Sequence, residues 1–212
     1  MGAIKIHDYD LPDKYLLNTK TKLPQYLVWV PSKTSIILGK SNNSESALNV
    51  DAVISDNIPV FKRPSGGETV LLTEKMIVIS AVLAHNGISN CNKYFRFFND
   101  KIVECLSTIG IKNISCKGIS DIAINDLKIC GSAIYQNKYI VFYHAVLNVS
   151  ESIEVINKYL QHPEREPDYR LGRSHLEFVT SLRERNYKFP ILMIKNIIEQ
   201  EFDKIKQNYN LQ

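Results

Sequence analysis

The sequence predicts an α+β fold, in which a mixed, largely antiparallel sheet core is flanked by helices. Short apolar or β-branched runs bounded by glycine and proline are typical of strands, and they occur in both halves of the chain. Two longer segments instead repeat apolar residues with helical spacing. The resulting order of strands, helix, strands, helix and helix favours an antiparallel or mixed sheet over a regular alternation of parallel strands and helices.

The predicted strands are short runs that end at turn-forming residues. The run 76–84 is strongly apolar, which predicts a strand buried on both faces. Asn125 and Asp126 tolerate left-handed backbone angles and predict a hairpin turn between two strands. The predicted strands cover residues 26–30, 35–38, 59–63, 69–72, 76–84, 122–124, 128–130, 139–143 and 145–149.

The predicted helices follow from amphipathic spacing and from residues typical of helix ends. Gly110 stands where a helix over 93–109 should stop. Ser150 is a predicted N-cap, because serine at this position can accept a hydrogen bond from the first helical turn. Further helices are predicted over 44–54 and from 189 or 190 to 209, whereas the polar, proline-interrupted segment 161–175 predicts an irregular loop.

Composition narrows the class of protein. The 212 residues, 44% of them hydrophobic, predict a single domain over 1–212 without a C-terminal accessory domain. The net charge of +4 fits an acidic or phosphate-bearing partner as well as an ordinary surface, and no nucleic-acid or membrane partner is predicted. The four cysteines form no C-x-x-C pair, and no signal peptide is visible, so a cytoplasmic location is predicted. Nucleotide motifs of the Rossmann and P-loop types are absent from the sequence.

The first candidate motif is the turn formed by Arg63, Pro64, Ser65, Gly66 and Gly67. Adjacent glycines let the backbone approach a ligand and direct N–H groups at an anion. The guanidinium of Arg63 offers paired donors to a phosphate or carboxylate. The alternative is a plain turn between two strands with a surface arginine.

The second candidate motif runs from Lys128 through Ile129, Cys130, Gly131 and Ser132 to Ala133. A lysine between two strand-like runs that points into a pocket could stabilise negative charge developing on an acyl carbonyl or a phosphate. The small side chains of the motif leave room for a ligand beside the ammonium group. The alternative is an exposed hairpin lysine, which is the commoner situation for a single lysine.

Together these motifs, with Ser120-Asp121 between them and His144 after them, form a spaced set. The set resembles the biotin/lipoate protein ligase superfamily, specifically the catalytic domain of lipoate-protein ligases and their octanoyltransferase relatives. The likeness extends over about residues 25–185. It implies a biotin/lipoate ligase-like mixed sheet packed by helices, which agrees with the fold class predicted above.

The resemblance also implies an activity. Lipoate or octanoate would be activated by ATP and Mg²⁺ to an acyl-adenylate and passed to a lysine of a lipoyl carrier domain or a glycine-cleavage H-like protein. Lys128 would hold the carbonyl and phosphate oxygens. No resident metal site is predicted, and a separate chain could supply an accessory domain. The implied substrate-binding residues are Arg63, Ser65, Gly66, Gly67, Asp121, Gly131, Ser132 and His144, with Asp121 on the nucleotide or magnesium side.

Two alternatives remain open at this stage. One is an ATP-independent transferase with a cysteine nucleophile, for which Cys116 and Cys130 are the candidates because a thiolate near Lys128 would have a lowered pKa. The other is a non-catalytic acyl-binding protein of the same fold. Both are favoured by Glu68, which stands where the family pattern has a third glycine.

Overall fold

Two β-sheets form the centre of the protein in this computed structural model, which describes residues 4–19, 23–85 and 91–209. The strands in chain order are β1 (Ile6–Asp8), β2 (Gln25–Trp29), β3 (Ser35–Leu38), β4 (Val60–Lys62), β5 (Val70–Leu72), β6 (Met76–Ala84), β7 (Ile114–Lys117), β8 (Asp121–Ile124), β9 (Leu127–Gln136) and β10 (Ile140–Asn148). The helices are α1 (Lys14–Leu17), α2 (Ser44–Ala47), α3 (Val50–Ser55), α4 (Asn92–Thr108), α5 (Ile153–Tyr159), α6 (His175–Phe178) and α7 (Ile191–Tyr209). Asp168–Arg170 forms one turn of 3-10 helix.

The larger sheet has the order β2-β6-β10-β9-β8-β7, and all of its strand pairs are antiparallel. The smaller sheet has the order β1-β4-β3-β5 and contains both parallel and antiparallel pairs. The predicted α+β class with a mixed, largely antiparallel sheet core is therefore confirmed. No helix within the described residues is long and apolar enough to cross a membrane.

The larger sheet uses its two faces differently. One face packs on α4 and α7 through a large apolar cluster that includes Phe98, Tyr143 and Phe202, whose rings stack in sequence. The other face turns toward the smaller sheet, where Val78 packs with Ile37 and Leu72. Burial on both sides explains why β6 is apolar along nearly its whole length.

Several predicted boundaries were wrong. The predicted helix over 44–54 is two short helices, because Leu48 is extended and bridges to Leu160. The side-chain amide of Asn49 donates to backbone carbonyls of α5, so a contact far along the chain sets this break. The helix predicted from Ser150 begins at Ile153, with Ser152 as its N-cap residue.

The strand predictions missed some elements and divided another. β1 and β7 were not predicted, because β1 has only three residues and β7 is half-exposed along its length. The runs 139–143 and 145–149 are one continuous strand, β10, and His144 lies within it. The turn at Asn125 has the predicted left-handed conformation, with φ 55°.

Candidate functional site

A cavity of about 720 Å³ lies between the two sheets and is bordered by the segment that runs from α5 to α6. Across the larger sheet, the pairing register sets Asp121, Gly131, Val146 and Val78 in one row on the cavity side. The spacing of neighbouring strands makes this row roughly 14 Å long over three strand intervals. The row is polar at the β8 end and apolar at the β6 end.

A β-bulge turns Lys128 toward this cavity. Ile122 pairs with Cys130, but the next residue of β8, Ala123, pairs with Lys128, so Ile129 is an extra residue in β9. The extra residue reverses the alternation of side chains, and Lys128 comes to share a face with Asp121 and Gly131. A hydrogen bond from the Thr180 amide to the Lys128 carbonyl (2.8 Å) fixes the bulge from outside.

The ammonium group of Lys128 is held by a buried carboxylate. Its Nζ lies 2.8 Å from Oδ1 of Asp121, whose side chain is 4% exposed, whereas that of Lys128 is 29% exposed. The other oxygen of Asp121 accepts a hydrogen bond from the Tyr169 hydroxyl at 3.0 Å. Burial and the neighbouring Asp121 raise the pKa of Tyr169, which keeps it a hydrogen-bond donor. The result is a fixed positive charge that still faces the cavity.

Gly131 provides the space in which the lysine lies. A Cβ at this position would come within 2.8 Å of Cε and 2.9 Å of Nζ of Lys128. Any side chain here would therefore push the ammonium group away from Asp121. The glycine of the second motif therefore leaves room for the lysine of the same motif.

The guanidinium of Arg63 is bound mainly by its own loop. It is 4% exposed, and each of its guanidinium nitrogens donates within the protein. Nε donates to the Ser65 hydroxyl (3.0 Å), Nη1 to the Ile37 carbonyl (3.1 Å), and Nη2 to the carbonyls of Gly66 and Glu68 (2.8 Å each). Burial lowers the pKa of Arg63 to about 10. These hydrogen bonds hold the loop together, and the expected contact of Arg63, which lines the cavity, with a ligand phosphate stays a prediction.

The glycines of this loop serve close backbone packing. Gly67 adopts φ 85°, and a Cβ there would approach Nη2 of Arg63 to 3.1 Å. A Cβ on Gly39 would meet the Gly67 carbonyl oxygen at 1.9 Å. Gly66 is exposed with no neighbour near its missing Cβ, and of the two loop glycines only Gly67 lines the cavity.

Ser65 connects the loop to the floor of the cavity. Its hydroxyl lies 2.7 Å from Nε2 of His144, a residue of β10 that lines the cavity. Burial, followed by the charge of Arg63, lowers the pKa of His144 to about 3, so its ring is neutral at physiological pH. Because the Ser65 hydroxyl accepts from Arg63, its own proton is free to point at His144.

Ser132 is placed on the cavity wall, but its hydroxyl is engaged elsewhere. It donates to the Ser120 carbonyl at 2.7 Å and lies 3.4 Å from Oδ1 of Asn99, on the side of helix α4. Tyr143 donates to the same Asn99 oxygen. Ser132 thus fixes the Ser120-Asp121 turn rather than presenting its hydroxyl to the cavity.

Neither candidate cysteine has the surroundings of a nucleophile. Cys130 contributes to the cavity wall, yet its buried side chain belongs to the apolar cluster under α4 and α7. Burial raises its pKa to about 12. Cys116 is an exposed residue outside the cavity lining and donates to Asp100 at 3.3 Å; partial burial of its thiol, together with that carboxylate, raises its pKa to about 12. A nucleophilic thiol needs a lowered pKa, so these surroundings do not favour either thiol as the nucleophile.

Glu68 borders the cavity and is held in place by its neighbours. Its carboxylate accepts from the Asn42 side chain at 3.2 Å and lies 3.5 Å from Nε of Arg165. Arg165 also donates to the Ser41 hydroxyl at 3.0 Å. The substitution of the family's third glycine therefore creates a link between the Arg63 loop and the segment before α6.

The segment predicted as an irregular loop supplies residues that the sequence did not identify as part of the site. Tyr169, Arg170 and His175 all line the cavity, although none of them lies in a motif with a recognised spacing. Arg170 is 4% exposed, stacks over Phe178 and donates to the Arg173 carbonyl. The local sequence does not predict that these residues line the cavity, because their segment comes next to β9 only through tertiary folding.

A second buried polar group lies toward the apolar end of the cavity. Tyr9, which lines the cavity, donates to Oδ1 of Asp13 at 2.7 Å, and Ser80 donates to the other oxygen at 2.5 Å. Burial raises the pKa of Asp13. This network attaches the N-terminal segment to the middle of β6.

The described residues hold no group of three or more metal-ligating side chains. Asp121 is the carboxylate nearest Lys128, and both of its oxygens already have partners. The donor set therefore does not fit a resident Mg²⁺ ion.

Comparison with known protein families gives one match along almost the whole chain. The family described as "Lipoyl protein ligase A/B catalytic domain" matches residues 11–203. Among curated proteins, lipoate–protein ligase 1 of Staphylococcus aureus is 28% identical over 149 residues, which are 70% of this chain and 44% of that protein. The chain spans less than half the length of such relatives.

Solved structures show the same fold at low sequence identity. A bipartite lipoate protein ligase of Thermoplasma acidophilum, described with its E2 lipoyl domain, has a TM-score of 0.77 at 18% identity and covers 95% of this chain and 82% of its own. Lipoate-protein ligase A bound with ATP has a TM-score of 0.70 at 19% identity, with 85% and 72% covered. These likenesses show the fold.

Proposed function

Because the chain belongs to the lipoyl protein ligase A/B catalytic domain family, we propose that it transfers a lipoyl or octanoyl group to a lysine of a lipoyl carrier domain through an acyl-adenylate. One observation carries this proposal. Lys128 is fixed by Asp121 at the polar end of a long, partly apolar cavity, with Gly131 leaving the space beside it open.

The chemistry follows from charge. Attack on an acyl carbonyl places negative charge on its oxygen, and a positioned ammonium group in a partly buried cavity stabilises that charge more in the transition state than in the ground state. Asp121 and Tyr169 hold the ammonium in place before substrate binds. Lys128 is the proposed catalytic residue for both adenylate formation and transfer.

The acyl chain would extend from Lys128 along the row of residues on the larger sheet. Val146 and Val78 continue this row away from Gly131, and Val70 and Leu72 of the smaller sheet line the cavity opposite. Their apolar side chains favour a hydrocarbon or dithiolane tail over water. His144, with Ser65 behind it, would place one polar ring along the chain.

ATP is the proposed activating substrate, and Mg²⁺ would enter with it. An ATP-bound ligase with the same fold supports this assignment. The carboxylate of the acyl substrate attacks the α-phosphate, pyrophosphate leaves, and the adenylate phosphate remains beside Lys128. Glu68 does not exclude this arrangement, because Asn42 and Arg165 already engage its carboxylate at the rim of the cavity.

The proposed protein partner is a lipoyl carrier domain or a glycine-cleavage H-like protein. The T. acidophilum ligase, which is bipartite and was described with its E2 lipoyl domain, supports a carrier of this type and a separate chain carrying an accessory domain. That residues 1–212 form one catalytic domain without the accessory part stays a prediction.

Two other functions are tested by the same experiment. A cysteine-dependent transferase would use an octanoyl-carrier donor without ATP, and the positions of Cys116 and Cys130 argue against it. A non-catalytic binding protein would retain acyl ligand and transfer nothing. The experiment supplies an apo lipoyl domain with either lipoate and Mg-ATP or an octanoyl-carrier donor, and measures the mass of the lipoyl domain.

The expected result is an ATP-dependent increase in the mass of the lipoyl domain. The rate of this transfer should fall by about 100-fold or more in Lys128→Ala. Lys117→Ala is the matched control, because Lys117 pairs with Asp126 outside the cavity lining. Full transfer by Lys128→Ala would refute the site. Transfer from the octanoyl-carrier donor alone would refute the ATP-dependent route.

A further inference from the structure

His175 is a buried imidazole of the cavity wall that the proposed function does not use. It is the first residue of α6 and is 9% exposed. Neither ring nitrogen has a hydrogen-bond partner among the residues that the structure describes. Within the same residues, Nε1 of Trp29 is the one buried side-chain nitrogen sealed without a partner, so the His175 nitrogens keep an opening. His175 is also one of the residues that line the cavity.

The other basic groups of the cavity wall that are at least half-buried already have hydrogen-bond or ion-pair partners. His144 is paired with Ser65, Asp121 with Lys128 and Tyr169, and Glu68 with Asn42 and Arg165. Among the described histidines that line the cavity, His175 is the one without a hydrogen-bond partner at either ring nitrogen. A neutral imidazole without a protein partner keeps one ring nitrogen free to accept a proton or a hydrogen bond from a bound ligand.

Backbone contacts at the start of α6 fix the position of His175 near Lys128. A capping box between Ser174 and Glu177 fixes the start of α6. The His175 carbonyl accepts from the Val179 amide at 2.9 Å, and Val179 forms a bridge with Lys128. One helical turn therefore separates the backbone of His175 from Val179, the neighbour of the strand residue that would hold the acyl carbonyl.

We propose that His175 is a further catalytic residue, which accepts the proton that the carrier lysine must lose when its amine attacks the activated acyl group. The inference rests on the proposed function. The amine nitrogen forms the amide C–N bond, and the C–O bond to phosphate breaks with its electron pair leaving on the phosphate of AMP. The proton of the amine moves to a ring nitrogen of His175 and from there to solvent.

The surroundings of His175 keep its ring unprotonated at neutral pH. Burial, followed by the nearby Arg170, His162 and Lys128, lowers the pKa of His175 to about 4. An acyl-adenylate brings a phosphate anion beside Arg170 and Lys128 and offsets their positive charges, which raises the basicity of the ring when substrate is bound. The imidazole is thus neutral before transfer and becomes a stronger proton acceptor in the complex.

The test measures single-turnover transfer from chemically supplied octanoyl-adenylate to an apo lipoyl domain. His175→Gln should lower the rate constant by about 100-fold. Its affinity for a non-hydrolysable octanoyl sulfamoyl-adenosine should change less than about twofold. His7→Gln, at a histidine outside the cavity lining, should transfer at the wild-type rate.

Chemical rescue separates proton transfer from a structural role. Added imidazole should restore transfer by His175→Ala, and the restored rate should follow the neutral fraction of imidazole as the pH is changed. Transfer by His175→Gln within about threefold of wild type would overturn the inference, and so would equal losses of rate and analogue affinity or a failure of rescue. Absence of transfer by the wild-type protein would instead refute the proposed function, and the inference with it.

Discussion

The Arg63 loop and the Lys128 hairpin face the same cavity, but they hold their cations in opposite ways. The guanidinium of Arg63 donates hydrogen bonds to three backbone carbonyls and one hydroxyl. The ammonium of Lys128 has one buried carboxylate partner and stays 29% exposed toward the cavity. A forked, planar cation suits a loop rich in carbonyls, whereas a single ammonium can be anchored and still remain available.

The difference lies in what the glycines of each motif make possible. In the loop, Gly39 and Gly67 allow two backbone segments to approach so closely that the arginine is enclosed. In the hairpin, Gly131 removes the side chain that would displace the lysine. The loop glycines let the backbone pack closely around Arg63, whereas the hairpin glycine leaves room for Lys128.

The largest expected effect is on stability, at Arg63. Arg63→Met should lower the free energy of unfolding by about 3 kcal/mol, because the carbonyls of Ile37, Gly66 and Glu68 lose their donors in a buried loop. Urea unfolding measures the change. Arg165→Met is the control, since that exposed arginine should contribute less than about 1 kcal/mol. Equal values for the two variants would contradict the structural role of Arg63.

The next effect is on activity, at Gly131. Gly131→Ala should slow transfer by about tenfold, because the new Cβ displaces the end of the Lys128 side chain by contact at less than 3 Å. The melting temperature should change little, since the displaced atoms are the flexible end of a side chain. Gly67→Ala should instead lower the melting temperature, because φ at this position is 85° and alanine destabilises the folded state there. A Gly131→Ala protein with full activity would show that the position of Lys128 is unimportant.

A smaller effect is expected in the pH dependence of stability, through His144. Its pKa is lowered to about 3 in the folded protein, whereas an unfolded histidine titrates near pH 6.5. Below pH 6.5 the unfolded state binds a proton that the native state does not, so stability falls by up to about 1.4 kcal/mol per pH unit as the pH is lowered. His144→Asn should reduce this slope in urea titrations between pH 7 and pH 5. An unchanged slope would mean that the His144 ring is protonated in the folded protein.

The smallest effect is expected at Cys116. Cys116→Ser should transfer within about twofold of the wild-type rate, because its thiol lies outside the cavity lining beside Asp100. Mass spectrometry of the lipoyl domain, with each acyl donor in turn, gives the measurement. A loss confined to the octanoyl-carrier reaction would restore the cysteine-dependent alternative.

Much of the fold could be read from periodicity. The long helices α4 and α7 and the apolar strand β6 have strong patterns, and the structure places them within a few residues of the predicted bounds. Elements that depend on distant partners could not be predicted. The break between α2 and α3 requires Leu160 and Asn157, and β1 is too short to leave a pattern.

The candidate site divides in the same way. The residue types and spacing of Lys128, Gly131 and Asp121 were enough to predict them as site residues from the sequence, and these three are in contact in the structure. The pattern assigned Arg63 and Ser132 to a ligand, but their polar groups are bound within the protein. Sequence identifies donors and acceptors, but it does not show which protein groups already use them.

The sequence alone was sufficient for the α+β class, the family resemblance and the hairpin lysine, because these depend on local periodicity and on residue types at fixed spacing. Only the tertiary structure decided which way Lys128 points, since a bulge against β8 reverses the alternation that a regular strand would impose. It also brought His175 beside that lysine, through a bridge between segments distant in the chain. The direction and the partners of a side chain depend on the neighbouring strand and the packing around it, and neither is encoded within its own motif.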